Sequence, residues 1–227
     1  MKIAVYSCIT GRYDIYRDPL ITEKVCDYFM ISDEVGKSYV YQWIDVDSVV
    51  PRIDMPLKDK NRYCKMHPHE LFPGYDYSIY IDGSVQIVRP IAHYISRIGK
   101  TGLGMHIHRK SDDIYSEGIF LSWLGVVDNK EIIRDMKKYL MLGIPRHFGM
   151  LECGVIVTDL HNLSAKEIYD CWYQEYLNSS KRDQQSLIYA LWSLGFAATD
   201  IGNIGGDYNV FTNPDLHWHR NSHYKSG

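Results

Sequence analysis

Apolar residues fall in short, largely apolar runs through the first half of the chain and recur at helical spacing through much of the second. "IAVYSCI" (3–9), "CDYFMIS" (26–32) and "SYVYQWIDV" (38–46) are of strand length and rich in β-branched and aromatic residues, so they predict buried strands. The polar turn "TGRYD" (10–14) follows the first of them. Residues 61–72 predict a weak helix broken or kinked by Pro68, leading into the alternating stretch "YDYSIYIDGSVQIV" (75–88). "GLGMHIH" (102–108) predicts a further strand. Asp128 with Glu131, and Ser164 with Glu167, have capping-box spacing and predict helix starts. Ile132, Ile133, Met136, Tyr139 and Leu140 hold one face behind the first; Ile168, Cys171, Trp172 and Tyr176 do so behind the second. Gly143 and Gly195 stand where helices stop. Between them "CGVIVTDL" (153–160) is nearly continuous in apolar character, as a strand covered on both faces must be. Strands interleaved with helices predict one α/β domain with a mostly parallel sheet.

A chain of 227 residues can bury a substantial core, and its net charge of -3 leaves no broad basic field for nucleic acid. A local basic cleft for a phosphorylated small molecule remains open. The five cysteines lie far apart and form no CxxC, which fits reduced, cytosolic thiols. "MKIAVYSCIT" reads as a first strand and not as a signal peptide. The longest apolar stretch, 118–127, is far shorter than the ~20 residues of a membrane span. A soluble, cytoplasmic protein is expected.

Ligands of such sheets bind beyond the carboxyl ends of the strands. Four polar segments qualify: "TGRYD", "DGS" (82–84), "HIHRK" (106–110) and the Arg182-Asp183-Gln184 that opens a helical run. Each has a structural alternative. Asp82-Gly83 between alternating apolar runs is also a strong hairpin signal, and Asp183 also suits a helix N-cap. Arg62 and Lys65 are neighbours on a helix and could grip a diphosphate, or simply face solvent. His67 and His69, His106 and His108, and the cluster His217, His219 and His223 could offer nitrogens to an ion, though no HExxH is present. Nineteen tyrosines and five tryptophans could serve sugar rings, or only the core.

In order, "NRYCKMHPHELFPGYDYSIYIDGSVQIV", "ECGVIVTDLHN" and "RDQQSLIYALW" resemble the glycosyltransferase-like domain family of plant cell-wall and bacterial surface-polysaccharide proteins. The resemblance runs from Ile3 to about Trp192. More distantly, the chain is similar to the family 8 retaining glycosyltransferases. That likeness implies a single GT-A-like, Rossmann-like domain over 1–227, with a nucleotide-binding half (1–90) and an acceptor and sugar half with the C-terminal tail (91–227). Together the two resemblances imply a nucleotide-diphosphate sugar, UDP-type favoured, as donor, and a glycan or lipid-linked acceptor in surface-polysaccharide, capsule or lipopolysaccharide synthesis. Peripheral membrane contact would be compatible with such an acceptor. Thr10, Arg12, Tyr13 and Asp14 would surround the nucleoside, with Asp82, Gly83 and Ser84 at the ribose or metal. Arg62 and Lys65 would hold the diphosphate, with Arg109 as a further phosphate contact. Glu152, Asp183 and Gln184 would lie at the donor sugar. Mn²⁺ or Mg²⁺ would be held by Asp82 and by His217 or His219, yet Ser84 replaces the second aspartate of Asp-x-Asp, and a hydroxyl is a poorer ligand than a carboxylate. A metal-dependent hydrolase using the histidine pairs and Asp82, and a catalytically silent binding module, are the competing readings.

Overall fold

The computed structural model describes residues 1–125, 128–206 and 208–219. Its strands are β1 (Ile3–Ile9), β2 (Cys26–Ser32), β3 (Gln42–Asp45), β4 (Tyr77–Ile81), β5 (Val85–Ile87), β6 (Leu103–Ile107), β7 (Leu151–Asp159), β8 (Gly202–Asn203) and β9 (Leu216–Trp218). Its α-helices are α1 (Leu57–Met66), α2 (Pro68–Leu71), α3 (Ile114–Leu124), α4 (Asn129–Leu142), α5 (Leu163–Leu177) and α6 (Asp183–Ser193).

Every residue of β1 is buried, which requires cover on both faces. Alternation divides the load: Ala4, Tyr6 and Cys8 enter a core with α1, α5 and α6, while Ile3, Val5 and Ile9 enter a second core with Tyr94, Val85 and Leu216. The seven-stranded sheet has the order β3-β2-β1-β4-β7-β6-β8, and β7 runs antiparallel to both of its neighbours. The other pairs are parallel. The sheet is α/β and mostly parallel, as expected, but the apolar run at 153–160 is the strand that runs the other way.

Differences from the sequence reading are local. The third strand shortens to Gln42–Asp45 because Ser38 Oγ accepts from the backbone N–H groups of Val40 and Tyr41, which turns the chain before the strand. Pro68 does break the predicted helix, and α2 restarts at it, since proline is tolerated where an N–H would be free anyway. Asp128 caps α4 and Gly143 ends it at φ 87. α5 instead starts at Leu163, because Asn162 is the residue whose side chain reaches the N–H of Ala165. Several buried tyrosines bond backbone or carboxylate groups; Tyr6 Oη donates to the carbonyls of Cys64 and Lys65, each at 3.3 Å, and so holds the end of α1. The aromatic count is thus largely structural. All five cysteines are unpaired. Among the described residues no helix is long and apolar enough to cross a membrane.

Candidate active site

The alternation that turns Tyr80 toward α1 turns Asp82, just beyond β4, the same way. Tyr80 Oη donates to Asp82 Oδ1 at 2.7 Å, and the Lys65 ammonium lies 3.6 Å from the same oxygen. Lys65 Nζ also donates to Asp183 Oδ2 at 2.8 Å, while Arg62 Nε lies 3.4 Å from that oxygen. Arg62, Lys65, Asp82 and Asp183 therefore form one cluster. Helix α1 is tied to the sheet for this purpose: Asn61 Nδ2 donates to the Cys8 carbonyl at 2.6 Å and Thr10 Oγ1 to that of Leu57 at 2.9 Å.

Asp183 does not cap α6; it is the first helical residue, behind Arg182. Its Oδ1 accepts from the N–H of Gln184 at 3.1 Å, and Trp172 Nε1 donates to its carbonyl at 2.8 Å. Burial by itself would push its carboxyl up, but Lys65, Arg62 and Arg182 together hold it well below the usual carboxylate range. Conversely, burial would lower the Lys65 ammonium, and Asp183 with Asp82 outweighs that and raises it. Both groups stay charged at neutral pH.

Asp82-Gly83 is not the turn of a hairpin. Val85 N bonds the Asp82 carbonyl at 2.9 Å, but β5 pairs with β9 and not with β4. Gly83 is absent from the residues with positive φ, so its smallness matters and not its backbone freedom. A Cβ there would lie 2.8 Å from Asp14 Cβ and 2.8 Å from Ile9 Cγ1. Gly83→Ala is expected to destabilise the fold by about 1–3 kcal/mol, read as a lower urea midpoint at unchanged m. An unchanged midpoint would contradict this close approach.

The tail does return to this turn, with the N–H of His219 donating to the Ser84 carbonyl at 2.8 Å. The His219 ring, however, bonds Gln86 Oε1 at 3.1 Å, and its centroid is 4.5 Å from that of His217. Among the described residues no three His, Cys, Asp or Glu side chains converge to hold a metal ion. Asp82, Ser84, His217 and His219 thus do not fit a protein-built Mn²⁺ or Mg²⁺ site: the single carboxylate is already engaged by Tyr80 and faced by Lys65. His223 lies outside the described residues. The other pairs also serve structure, His67 Nδ1 lying 2.8 Å from the Tyr63 carbonyl and His106 Nε2 accepting from Asn213 at 2.9 Å.

On one side of the cluster, Arg12 and Asp14 line a hollow of about 90 Å³ with Ser32, Glu34 and Trp43. Gly11 and Arg12 are both left-handed, at φ 62 and 53, and Arg12 Nε pairs with Glu34 at 2.7 Å. Tyr13 is exposed beside them. On the other side, Glu152 and Arg109 line a cleft of about 380 Å³ with His108, Glu117, Phe120 and Phe211. Arg109 stacks 4.9 Å over the Phe211 ring, and Glu152 accepts from the N–H of Val210 at 2.9 Å. Burial pushes the Glu152 carboxyl up against the pull of that bond and of Arg109. Glu152 and Arg109, expected at the donor sugar and the phosphates, stand together here, and neither bonds Arg62, Lys65 or Asp183. The β-bulge opposite Met105 and His106 accounts for the placement of Glu152, since it re-aims β7 beside the cleft. Gly154 bridges the two regions: a Cβ there would lie 3.5 Å from Asp82 Oδ2 and 4.0 Å from Val210.

Sequence reasoning missed Tyr80, which could be found two residues before Asp82 on the same face of a strand. It also missed Lys58, four residues before Arg62, and the pocket residues Ser32, Glu34 and Trp43, for which no local signal exists.

The family profile described as TOD1/MUCI70, glycosyltransferase-like domain, matches residues 1–201. No curated protein sequence matches the chain. Among solved structures it is similar to the bifunctional glycosyltransferase WbbM, at 15% identity and TM-score 0.57 over 92% of this chain and 40% of that one. Mouse xyloside xylosyltransferase 1 is similar at 9% identity and TM-score 0.50, over 86% of this chain and 82% of that one. An active-site mutant of LgtC is similar at 10% identity and TM-score 0.50, over 96% of this chain and 87% of that one. At such identities the likeness bears on the fold, which is that of the GT-A glycosyltransferases.

Proposed function

The chain belongs to the TOD1/MUCI70 glycosyltransferase-like domain family, and from that premise we propose that it moves a sugar from a nucleotide diphosphate to a glycan or lipid-linked acceptor. One observation carries the reading: Arg62, Lys65, Asp82 and Asp183, from three separate stretches, meet in one charged cluster at the carboxyl end of β4. Glycosyl transfer needs such a place, because the departing diphosphate gathers negative charge while the sugar carbon gathers positive charge.

The nucleoside lies along Thr10, Arg12, Tyr13 and Asp14, with the diphosphate against Arg62 and Lys65. Asp183 and Gln184 face the sugar, where a carboxylate that stays ionised meets the charge at the anomeric carbon. The bond from that carbon to the diphosphate oxygen breaks with its electron pair leaving on the phosphate. The acceptor oxygen, held in the cleft of His108, Glu117 and Glu152, bonds to the carbon and gives up its proton. In a retaining reaction it enters on the face the diphosphate leaves, and the departing phosphate takes that proton. The family 8 resemblance supports retention and a UDP-type donor, and the resemblance to the surface-polysaccharide domain family supports a role in surface-polysaccharide synthesis. The first 90 residues serve mainly the nucleotide, and the remainder the donor sugar and the acceptor.

A nucleotide at about 100 times its Kd stabilises the folded chain by about 2.7 kcal/mol, so one of UDP, GDP or CMP is expected to raise Tm by about 5–10 °C. Absence of any shift across these nucleotides, with and without Mn²⁺, would remove the donor reading.

A further inference from the structure

We propose that protein cations alone, Lys58, Arg62, Lys65 and Arg182, neutralise the donor diphosphate, and that this chain binds a nucleoside diphosphate without a divalent ion. The inference rests on the donor reading above. Lys58, Arg62 and Lys65 stand at i, i+4 and i+7 of α1 and form one basic stripe that ends on Asp82 and Asp183. Like charges at this spacing weaken a helix, so the stripe has to be sustained by something other than helix formation. Arg182 stands at the N-cap of α6, immediately before Asp183, and its positive charge bears on both Lys58 and Asp183.

The carboxylates do not balance these cations. Asp183 and Asp82 are the acidic groups within the cluster, and the nearby Asp59 is already occupied by Lys181 and by Tyr176 Oη at 3.0 Å. Four cations against two carboxylates leave two positive charges, which equals the charge of the diphosphate in a nucleotide sugar. The Lys58 ammonium, exposed at one side and partly covered at the other, is pushed down by that partial burial and then by Arg62 and Arg182, against the pull of Asp183 and Asp59. Arg62 Nε faces Asp183 Oδ2 at 3.4 Å, whereas Arg182 Nε is buried and makes no hydrogen bond among the described residues, which leaves a guanidinium donor for an incoming anion.

A divalent ion would be poorly served at the same place. The carboxylate at the end of β4 is Asp82, and the Lys65 ammonium stands 3.6 Å from it, where an added cation would meet like charge. At this position the side chain of Lys65 supplies positive charge.

Calorimetric titration of the full chain with UDP, GDP, CDP and ADP, and with the matching monophosphates, tests this in EDTA and in Mn²⁺ or Mg²⁺. The best diphosphate is expected to bind in EDTA, with less than about a three-fold change of Kd on adding either ion. Lys58→Gln and Arg182→Gln are each expected to weaken the diphosphate about ten-fold, as loss of a charge-assisted contact does, and the monophosphate much less. Lys58 is exposed, so its variant keeps the fold, and Lys58→Arg should retain the affinity. Diphosphate binding that EDTA abolishes and Mn²⁺ restores would overturn the proposal while leaving the donor reading intact. Unchanged diphosphate affinity in both glutamine variants would also overturn it. A chain that binds no nucleotide in any buffer loses the donor reading itself.

Discussion

Replacing Asp183 by asparagine is expected to cost about 3–5 kcal/mol of stability and to abolish transfer, because it leaves Lys65 and Arg62 charged in a buried site without their main partner. The side chain of Lys65 is 1% exposed, so water cannot take over the lost bond. Urea unfolding at pH 7 measures the change. A double replacement, Lys65→Met with Asp183→Leu, should recover part of the stability and none of the activity, since an apolar pair removes the buried Lys65 charge together with its partner while Arg62 still lacks Asp183. The pH dependence has a definite sign. The Asp183 carboxyl is lower in the folded chain than its ordinary value near 3.9, so its contribution is complete above that value and is lost as pH falls below it. Asp183→Asn should therefore flatten the acid limb of the stability curve relative to the wild type. A variant within about 1 kcal/mol of wild type would show that the pair is not held as described.

Arg62→Gln is expected to lower kcat/KM for the donor by about 10²–10³-fold, the usual cost of one fixed donor aimed at developing charge. Stability should suffer less than in Asp183→Asn, because Asp183 keeps the closer bond to Lys65 at 2.8 Å against 3.4 Å to Arg62. Turnover of the nucleotide sugar chosen by the binding panel, measured with urea unfolding of the same preparation, separates the two effects. Wild-type kcat/KM in a stably folded Arg62→Gln chain would take Arg62 out of the diphosphate site. Gln184 supplies a contrast: of its groups the backbone N–H bonds Asp183 Oδ1, so its side chain can be altered without removing that bond.

Much of the scaffold was legible because it is written in local patterns. Largely apolar runs at 3–9 and 26–32 became buried parallel neighbours, and Asp128 and Gly143 did bound α4. Strand direction was not legible at 153–160, since an apolar run packed on both faces reads the same whichever way it points. The cap of α5 lay two residues before the predicted serine, as several polar residues there could reach a free N–H and geometry chose Asn162.

The candidate site divides along the same line. Its residue types and their order along the chain were present in the sequence, and so was the pairing of Arg62 with Lys65 on one side of a helix, but Lys58 lay outside the helix predicted over 61–72 and joined the stripe only when α1 proved to begin at Leu57. Which charges meet was not, because the partner of Lys65 is 118 residues away and no local rule encodes that pairing. The Asp-Gly at 82–83 is the clearest case. Read locally it is a hairpin, yet the following strand takes the distant β9 as its partner and leaves Asp82 at the open end of β4 beside Lys65. Sequence periodicity determined the elements and the faces they bury, since each depends on neighbours within a few residues. The tertiary structure alone decided where unlike charges are buried together, since that depends on the packing of α1 and α6 against one end of the sheet.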